Sequence, residues 1–469
     1  MFYTVDQIAQ LVEKKKDLLK SFGEYIDAEE KNVETMKSVY LYLLLSNSDP
    51  VDPEKILRDP VAAYKLLRQQ RNEFINILKH IKHSFYQCNE YQYELEFIEI
   101  PKPEDLDGAA SGLIRLQEIY KLYPEDITNE MSLSADEAYH VGEVAYNENK
   151  FQHAFLWFGY SLITLTEYST ITEEELLRSL ISSAYYFGNL HLAIYFNKQL
   201  LNLDPTNDEV RAQLNRLIRS QRTSNPDIFI LSTESSDYET LCRGEIDEMT
   251  IKRQSALSCR YSTGGGNPRL MYAPVKEEVE WDDPQIIRYH DIISDREIEF
   301  LKNISRPQLS RSQTGHGKGI VSNIRVSQSV FLKEDENVAR ISKRIADITG
   351  LRTDTSAESL HVQNYGIGGR YEPHYDTGDY ENGRIATFLI YMSDVEIGGA
   401  TVFPKVGVAL NPIKGSAVFW YNLHKNGNVD LYTLHAGCPV FRGNKWVANK
   451  WIRMFGQEFR RPCSLSYSD

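Results

Sequence analysis

Stepping alternately by three and four from Val5 visits Ile8, Val12, Lys15, Leu19, Phe22, Ile26, Glu29, Val33, Met36 and Tyr40, and nine of these eleven positions are apolar. A stripe of that period predicts a long helix whose seam faces a second helix, as in a self-associating coiled coil. The alternative is a long amphipathic helix packed within its own domain. Asp52-Pro53 and Asp59-Pro60 interrupt the helical pattern, Asn72 to Phe97 reads as a further helix, and Pro101, Pro103 and Asp107-Gly108 mark a boundary.

A weak internal repeat runs from Ser134 to Ser220. Gly142, Tyr146 and Ala154 are echoed by Ala184, Gly188, Ala193, Leu200 and Pro205. The second unit fits a tetratricopeptide helix pair, whereas the first lacks the closing proline. Such pairs form a concave face, and this one is rich in aromatics: Tyr146, Trp157, Phe158, Tyr160, Tyr185, Tyr186 and Tyr195. Most are expected in the core, yet tyrosine rings also stack on proline, and proline-rich peptides dock on aromatic-lined grooves. Ser220 to Gly266 reads as a linker beginning around Ser224-Asn225-Pro226. Its Gly264-Gly265-Gly266 is a flexible turn rather than a phosphate loop, since no Lys-Ser/Thr follows.

From about Pro274 the period shortens. Ile286–Tyr289 reads as a strand, Ser294-Asp295-Arg296-Glu297 as a capping box opening a helix, and Asn337 to Thr349 as an amphipathic helix stopped by Gly350. Leu360–Tyr365, Arg384–Met392, Gly415–Trp420 and Lys445–Phe455 are strand-like segments between Gly/Asp/Asn-rich turns. That spacing predicts a β-sandwich or barrel of jelly-roll type with a cavity between sheets.

Composition narrows the function classes. The 469 residues carry a net charge of −14 and a pI near 5.4, which disfavours a nucleic-acid partner. The longest unbroken apolar run, Val39 to Leu45, is far short of the roughly 18 residues a spanning helix needs, so no membrane insertion is expected. Cys88, Cys242, Cys259, Cys438 and Cys463 show no CxxC spacing, and five reduced buried thiols are one reading of them. Met1 to Asp6 lacks the basic and apolar regions of a secretion signal, which fits a cytosolic chain or a mature form behind an added Met. Asn303-Ile304-Ser305 is a sequon.

The chemistry-bearing pattern is His374-Tyr375-Asp376. In a strand, residues two apart share a face, so both side chains can bind one ion. His435 is a distant third ligand, and Lys445 opens a strand-like run, where a solvated strand-end lysine is an equally good reading. Two His and one Asp leave three positions of an octahedral metal open, which suits non-haem Fe(II) and O₂; zinc is the competing ion.

Wider motifs carry a family resemblance. They are Asn364-Tyr365-Gly366, Tyr371-Glu372-Pro373-His374, Arg384-Ile385-Ala386-Thr387, Gly398-Gly399-Ala400-Thr401-Val402-Phe403-Pro404, Ala417-Val418-Phe419-Trp420-Tyr421-Asn422, Gly443-Asn444-Lys445-Trp446-Val447 and Gly456-Gln457-Glu458-Phe459-Arg460-Arg461-Pro462-Cys463. With them the chain resembles the α subunits of collagen prolyl 4-hydroxylase, which are Fe(II)/2-oxoglutarate dioxygenases. The resemblance implies an α+β multidomain fold. Residues 1–130 would be a helical coiled-coil dimerisation domain, 131–222 an all-α tetratricopeptide-like peptide-binding domain, 223–273 a linker with a disulfide-bonded loop, and 274–469 a double-stranded β-helix (jelly-roll) catalytic domain. It implies hydroxylation of C4 of proline in collagen-like X-Pro-Gly sequences, coupled to decarboxylation of 2-oxoglutarate to succinate and CO₂, with O₂ and ascorbate. His374, Asp376 and His435 would hold Fe(II), and Lys445, Tyr365, Thr387 and Arg453 would line the 2-oxoglutarate pocket. Trp451 would lie near the site, although a core indole is as good a reading. Tyr146 and Tyr185 would bind peptide, Asn303 would carry glycan, and Cys242–Cys259 and Cys438–Cys463 would be disulfides. Protein disulfide isomerase would be the β subunit of an α₂β₂ tetramer in the lumen of the endoplasmic reticulum.

The resemblance has departures. Arg453 stands where relatives carry histidine, the loops Thr377–Gly383 and Gly315–Asn323 are shorter, and Ser179 and Ser182 occupy a helix richer in tyrosine in relatives. The alternative function is a catalytically impaired subunit that keeps peptide binding and assembly.

Overall fold

The computed structural model describes residues 5–46, 58–81, 101–221, 236–313, 323–378 and 381–464. The chain divides into two compact units, one formed by 1–56 and 64–106, the other by 57–63 and 107–469. No helix among the described residues is long and apolar enough to cross a membrane.

In the first unit, the heptad pattern becomes one helix, α1 (Val5–Ser46). Leu19, Phe22, Ile26, Val33 and Tyr40 of its seam are exposed. The side chains of Val5, Ile8 and Val12 lie outside the described residues. Asp59-Pro60 opens a helix rather than ending one. Asp59 Oδ1 accepts from the amides of Val61 (3.0 Å) and Ala62 (2.8 Å), and Pro60 is the first residue of α2 (Pro60–Ile81). The rest of the helix expected to Phe97, together with Cys88, lies outside the described residues.

The expected boundary at Asp107-Gly108 coincides with the division between the two units, which falls between Leu106 and Asp107, although α3 (Pro103–Tyr120) runs through it without a break. A single helical glycine costs only about 1 kcal/mol, and packing beyond it decides. α4 (Ala135–Asn147), α5 (Phe151–Ile163), α6 (Glu173–Tyr186), α7 (Leu190–Leu203) and α8 (Asp208–Gln221) follow as stacked antiparallel helices. Capping boxes at Ser134/Glu137 and Thr172/Glu175 start α4 and α6. Gly142 lets α4 and α5 close, since a Cβ there would sit 2.6 Å from the Phe158 ring.

The C-terminal region is built from β1 (Cys259–Ser262), β2 (Val275–Asp282), β3 (Gln285–His290), α9 (Asp295–Ser305), β4 (Ser310–Arg311), β5 (Gln328–Phe331), α10 (Glu336–Thr349), β6 (His361–Tyr365), β7 (Tyr371–His374), β8 (Arg384–Tyr391), β9 (Ile397–Gly398), β10 (Thr401–Phe403), β11 (Val408–Leu410), β12 (Ala417–Tyr421), β13 (His435–Gly437), β14 (Val440–Arg442) and β15 (Lys445–Arg453). The capping box at Ser294 starts α9, and Gly350, in the left-handed region at φ 73°, ends α10. The strands form an antiparallel nine-stranded sheet, β1-β2-β3-β12-β8-β15-β6-β5-β4, and a smaller sheet, β11-β10-β13-β7. This is the expected two-sheet architecture. Strand alternation separates two cores. Phe388, Ile390, Phe419 and Ala448 pack under Ile298, Leu301, Val338, Ile341 and Ile345 of α9 and α10. On the other face, Leu389, Tyr391, Val418, Trp420 and Val447 meet Phe403, Val408 and Leu410 of the small sheet.

The disulfide pairing differs from the expected one. Cys242 bonds Cys438, with a Cα separation of 5.5 Å, while Cys259 and Cys463 are free and exposed. The cause is packing. The short helix Asp237–Cys242 buries Tyr238 and Leu241 against Val402, Ala436 and Cys438, whereas Cys259 sits on β1 at the outer edge of the large sheet. Asn303 is exposed on α9, its Oδ1 accepting from Arg306 (2.8 Å). A non-reducing digest should therefore yield a Cys242–Cys438 cross-linked peptide, with Cys259 and Cys463 alkylated in the native protein. Removal of the bridge (Cys438→Ser) should lower stability by about 2–4 kcal/mol in urea unfolding.

Candidate functional site

Pairing of β7 with β13 places His374 directly opposite His435, and Asp376 follows His374 just beyond the strand. Among the described residues, His374, Asp376 and His435 are the group that could hold a metal ion, with one ligand atom from each lying within 4.8 Å of the others. Their orientation is fixed from behind. His374 Nδ1 is 2.8 Å from the Glu372 carbonyl and His435 Nδ1 is 3.0 Å from the Thr433 carbonyl. Each ring therefore donates its Nδ1–H to backbone and turns the Nε2 lone pair inward. The His374 ring also stacks on Tyr371 at 3.5 Å.

Asp376 is held just as firmly. The Thr387 hydroxyl donates to its Oδ2 (2.9 Å), as does the Trp451 indole N–H (2.8 Å). Thr387 and Trp451 are register partners on β8 and β15. Asn422 Nδ2 in turn donates to the Thr387 hydroxyl (3.0 Å). Oδ1 lies 3.7 Å from His374 Nε2, and Oδ2 lies 3.6 Å from His435 Nε2. Burial opposes the aspartate's charge, yet His435, His374, Arg384 and the Trp451 N–H hold its carboxyl down at about 2. Burial pushes the His374 imidazole down to about 3, His435 adding to the effect and Asp376 opposing it. A neutral imidazole and an ionised carboxylate are the forms a metal needs. This donor set fits a divalent transition metal with open positions for ligands.

A cavity opens at the triad, whose three residues belong to its lining. Its floor is the inward face of the large sheet, where alternation brings Lys445, Val447, Asn449 and Trp451 of β15 beside Gln363 and Tyr365 of β6. Lys445 is 4% exposed, and its Nζ lies 5.6 Å from the Tyr365 ring centre and 5.8 Å from that of Tyr391. Among the described residues no carboxylate pairs with it, and burial pushes the ammonium down to about 7. A buried cation without a counter-ion is stable only when an anion joins it.

Other expected site residues divide. Tyr365 lines the cavity, and its hydroxyl donates to Gln363 Oε1 (2.8 Å). Thr387 is not among the lining residues; its hydroxyl supports Asp376. Arg453 is likewise outside the lining, paired with Glu358 (2.8 Å) and donating to the Asn382 carbonyl (2.8 Å). It stands on β15 beyond the bulge after Ile452, which turns it away. Trp451 is both lining and ligand support. The loop Gly315–Asn323 lies outside the described residues apart from Asn323, and Thr377–Gly383 apart from Asp379 and Tyr380 is described.

Sequence reasoning missed Thr401, Gln363 and Asn449, all of which line the cavity. Thr401 accepts from the Tyr391 hydroxyl (2.8 Å), which leaves its own proton free to donate. The two-residue period of β6 and β15 carried the signal for Gln363 and Asn449. In the repeat region, Tyr185, Tyr186 and Tyr195 are exposed, whereas Trp157, Phe158 and Tyr160 are core. Tyr146 packs edge-on to Tyr186 (6.0 Å), which stacks on Phe151 (4.8 Å) and meets Tyr185 (5.6 Å).

Comparison with known proteins agrees along the whole chain. A profile of the prolyl 4-hydroxylase alpha-subunit N-terminal region matches residues 4–133, one of the prolyl 4-hydroxylase peptide-substrate-binding domain matches 135–218, and one of the 2OG-Fe(II) oxygenase superfamily matches 360–453. Prolyl 4-hydroxylase subunit alpha-2 of Gallus gallus is 39% identical over 516 residues, covering 100% of this chain and 96% of the relative. Subunit alpha-1 of Homo sapiens is 39% identical over 518 residues, covering 99% and 96%. The crystal structure of a viral collagen prolyl hydroxylase from Paramecium Bursaria Chlorella virus-1, as a 2OG complex, aligns with 36% of this chain and 95% of its own at 26% identity and a TM-score of 0.31.

Replacing Trp451 by Phe removes one of two donors to Asp376 and should weaken Mn(II) binding by about 10–100-fold in calorimetric titration. His374→Ala should abolish saturable binding, since two ligands remain.

Proposed function

The chain belongs to the prolyl 4-hydroxylase alpha-subunit family, and we propose that it hydroxylates C4 of proline in collagen-like X-Pro-Gly sequences at the expense of 2-oxoglutarate and O₂. One observation carries the reading. Two imidazoles and a carboxylate converge at one end of a cavity whose lining also holds a buried, unpaired lysine. Only a ligand with both metal-binding and anionic groups satisfies both.

His374, Asp376 and His435 would hold Fe(II). When bound, the iron with 2-oxoglutarate and O₂ supplies the oxidising chemistry. The chain's own residues bind, orient and exclude. Lys445 would take the far carboxylate as a point charge, with the free Thr401 proton as a second donor and the Tyr365 and Tyr391 rings flanking the ammonium. Leu389, Val447 and Trp420 close the walls with apolar surface and keep water from the reacting centre. Thr387 and Trp451 hold Asp376 ionised throughout. Because Arg453 does not reach the lining, its departure from relatives leaves the cavity intact.

The exposed Tyr185, Tyr186 and Tyr195 offer ring faces for an extended proline-rich segment, and Tyr146 supports them from below. The exposed seam of α1 fits α-subunit self-association. Family membership supports protein disulfide isomerase as the β subunit of an α₂β₂ assembly in the endoplasmic reticulum, with ascorbate sustaining turnover and glycan on Asn303; the Cys242–Cys438 bridge suits such an oxidising compartment.

Assembled protein should convert 2-oxoglutarate to succinate in the presence of Fe(II), faster when (Pro-Pro-Gly)ₙ is added. No peptide-stimulated turnover from a properly assembled complex would overturn the reading. Lys445→Ala should raise KM for 2-oxoglutarate far more than KM for peptide. The pH dependence has a definite sign. Lys445 is charged below about 7 and neutral above it, so 2-oxoglutarate affinity should fall as pH rises past 7, by up to about tenfold per unit. Lys445→Arg, which stays charged, should flatten that profile.

A further inference from the structure

The facing sides of α4 and α6 match turn by turn. On α4, Tyr139, Glu143 and Tyr146 are spaced four and three apart and so share one face. On α6, Glu175, Ser179, Ser182 and Tyr186 follow the same period. The two faces meet. Tyr139 Oη lies 3.4 Å from Ser179 Oγ, and the Tyr146 ring meets Tyr186 at 6.0 Å, with Ser182 beside its hydroxyl. Rings therefore stand at both ends of this stretch, Tyr139 half-buried at one and Tyr186 exposed at the other. Glu143 stands between them and is exposed. Partial burial, then Asp107 and Glu175, push its carboxyl up, and among the described residues no cation pairs with it. The other charged groups nearby are already served. Asp107 meets His140 (3.0 Å), and Glu175 accepts from the Thr172 amide (2.9 Å) and hydroxyl (2.7 Å). Arg178 pairs with Glu174 (2.8 Å) and Lys150 with Glu118 (2.8 Å).

We infer that Glu143 sets the substrate class of the peptide-binding region: proline-rich segments that carry Lys or Arg between prolines three residues apart, as in Pro-Gly-Lys-Pro. The inference rests on the peptide reading above, and both helices lie within the matched peptide-substrate-binding domain. A polyproline helix repeats every three residues over about 9 Å, and the seven residues from Tyr139 to Tyr146 span about 10 Å of α-helix. Prolines one repeat apart thus meet a ring at each end of the stretch. The residue between them falls beside the carboxylate. A cationic side chain at that place pairs with Glu143 and lies against the tyrosine faces, whereas an acidic one meets like charge from Glu143, Asp107 and Glu175. The rings supply the seat for proline, and the unpaired acid selects what lies between.

The test compares (Lys-Pro-Gly)ₙ, (Pro-Pro-Gly)ₙ and (Glu-Pro-Gly)ₙ of equal length, each of which keeps a proline before glycine. Dissociation constants are read from the fluorescence anisotropy of labelled peptide on the assembled, full-length protein at low salt. The parent should bind the lysine peptide about threefold or more tighter than (Pro-Pro-Gly)ₙ and the glutamate peptide weaker by a similar factor, as for a small number of exposed ion pairs. These differences should shrink at about 1 M salt. Glu143→Lys, at an exposed position, should invert the order of the two charged peptides, and Glu143→Gln should level it. Glu336→Lys, exposed on α10, changes the net charge equally and should leave the parental order. A parent that does not distinguish the three peptides would overturn the inference. So would a Glu336→Lys variant that shifts the order as far as Glu143→Lys does, because attraction to the chain's net charge of −14 would then suffice. Should the lysine substitution at 143 prevent folding, the glutamine variant decides by the same constants. Failure of the parent to bind any of the three peptides would instead sink the peptide reading itself.

Discussion

A carboxylate kept ionised inside protein is the constraint from which the catalytic region follows. Asp376 is 5% exposed, and an isolated charge in such a place would be disfavoured by several kcal/mol. The Thr387 hydroxyl, the Trp451 indole and two imidazoles share that charge. Each of these groups comes from a different element, so β7, β8, β13 and β15 must all be in register before the aspartate is satisfied. Sheet register and metal affinity are therefore one property. A slip of one residue in β15 would carry Trp451 and Lys445 to the opposite face together.

The same logic links the peptide-binding helices to the catalytic sheets through the C-terminal part of α3. Arg115 Nε donates to the Gly368 carbonyl (3.0 Å), in the turn that leads into β7, and the Tyr120 hydroxyl donates to the Pro439 carbonyl (2.7 Å), just after Cys438. From the other side, Trp157 of α5 donates to Gln117 (3.0 Å) and Lys150 pairs with Glu118 (2.8 Å). Burial lowers the Arg115 guanidinium to about 10, which still leaves it charged at neutral pH. One helix thus meets the repeat on one side and the strands that carry the metal ligands on the other. The bridge Cys242–Cys438 reinforces the β13 side of that contact, three residues past His435.

Much of this was legible in the chain because it rests on local periodicity. The capping box at Ser294, the stop at Gly350 and the strand that Lys445 opens follow from spacing alone. What spacing does not reach shares a cause. The roles of Thr387 and Arg453, and the partner of Cys242, depend on which elements meet in space. Thr387 shares the inward face of β8 with Leu389, but Asp376 folds over it; Arg453 follows a bulge that no local pattern announces. Asp107-Gly108 marks the point where the two units divide, yet the helix that carries Arg115 and Gln117 runs on across it. The metal triad was within reach because His-x-Asp is a local pattern, although Asp376 lies just past the end of β7 and pairing with His435 required register.

The cavity's electrostatics explain why a lysine, and one so deeply placed, fits the far end. A lysine lowered to about 7 by burial is poised between charged and neutral, so the free chain need not bury a full unpaired cation. An arriving carboxylate restores the proton preference and the attraction together. Binding is then coupled to protonation, and affinity depends on the ligand carrying charge at that distance from the metal. An arginine in the same position would remain charged in the empty cavity and bear the desolvation penalty permanently. The surrounding Tyr365 and Tyr391 rings lessen that penalty for the ammonium without supplying a counter-ion. They leave the choice of anion to the ligand.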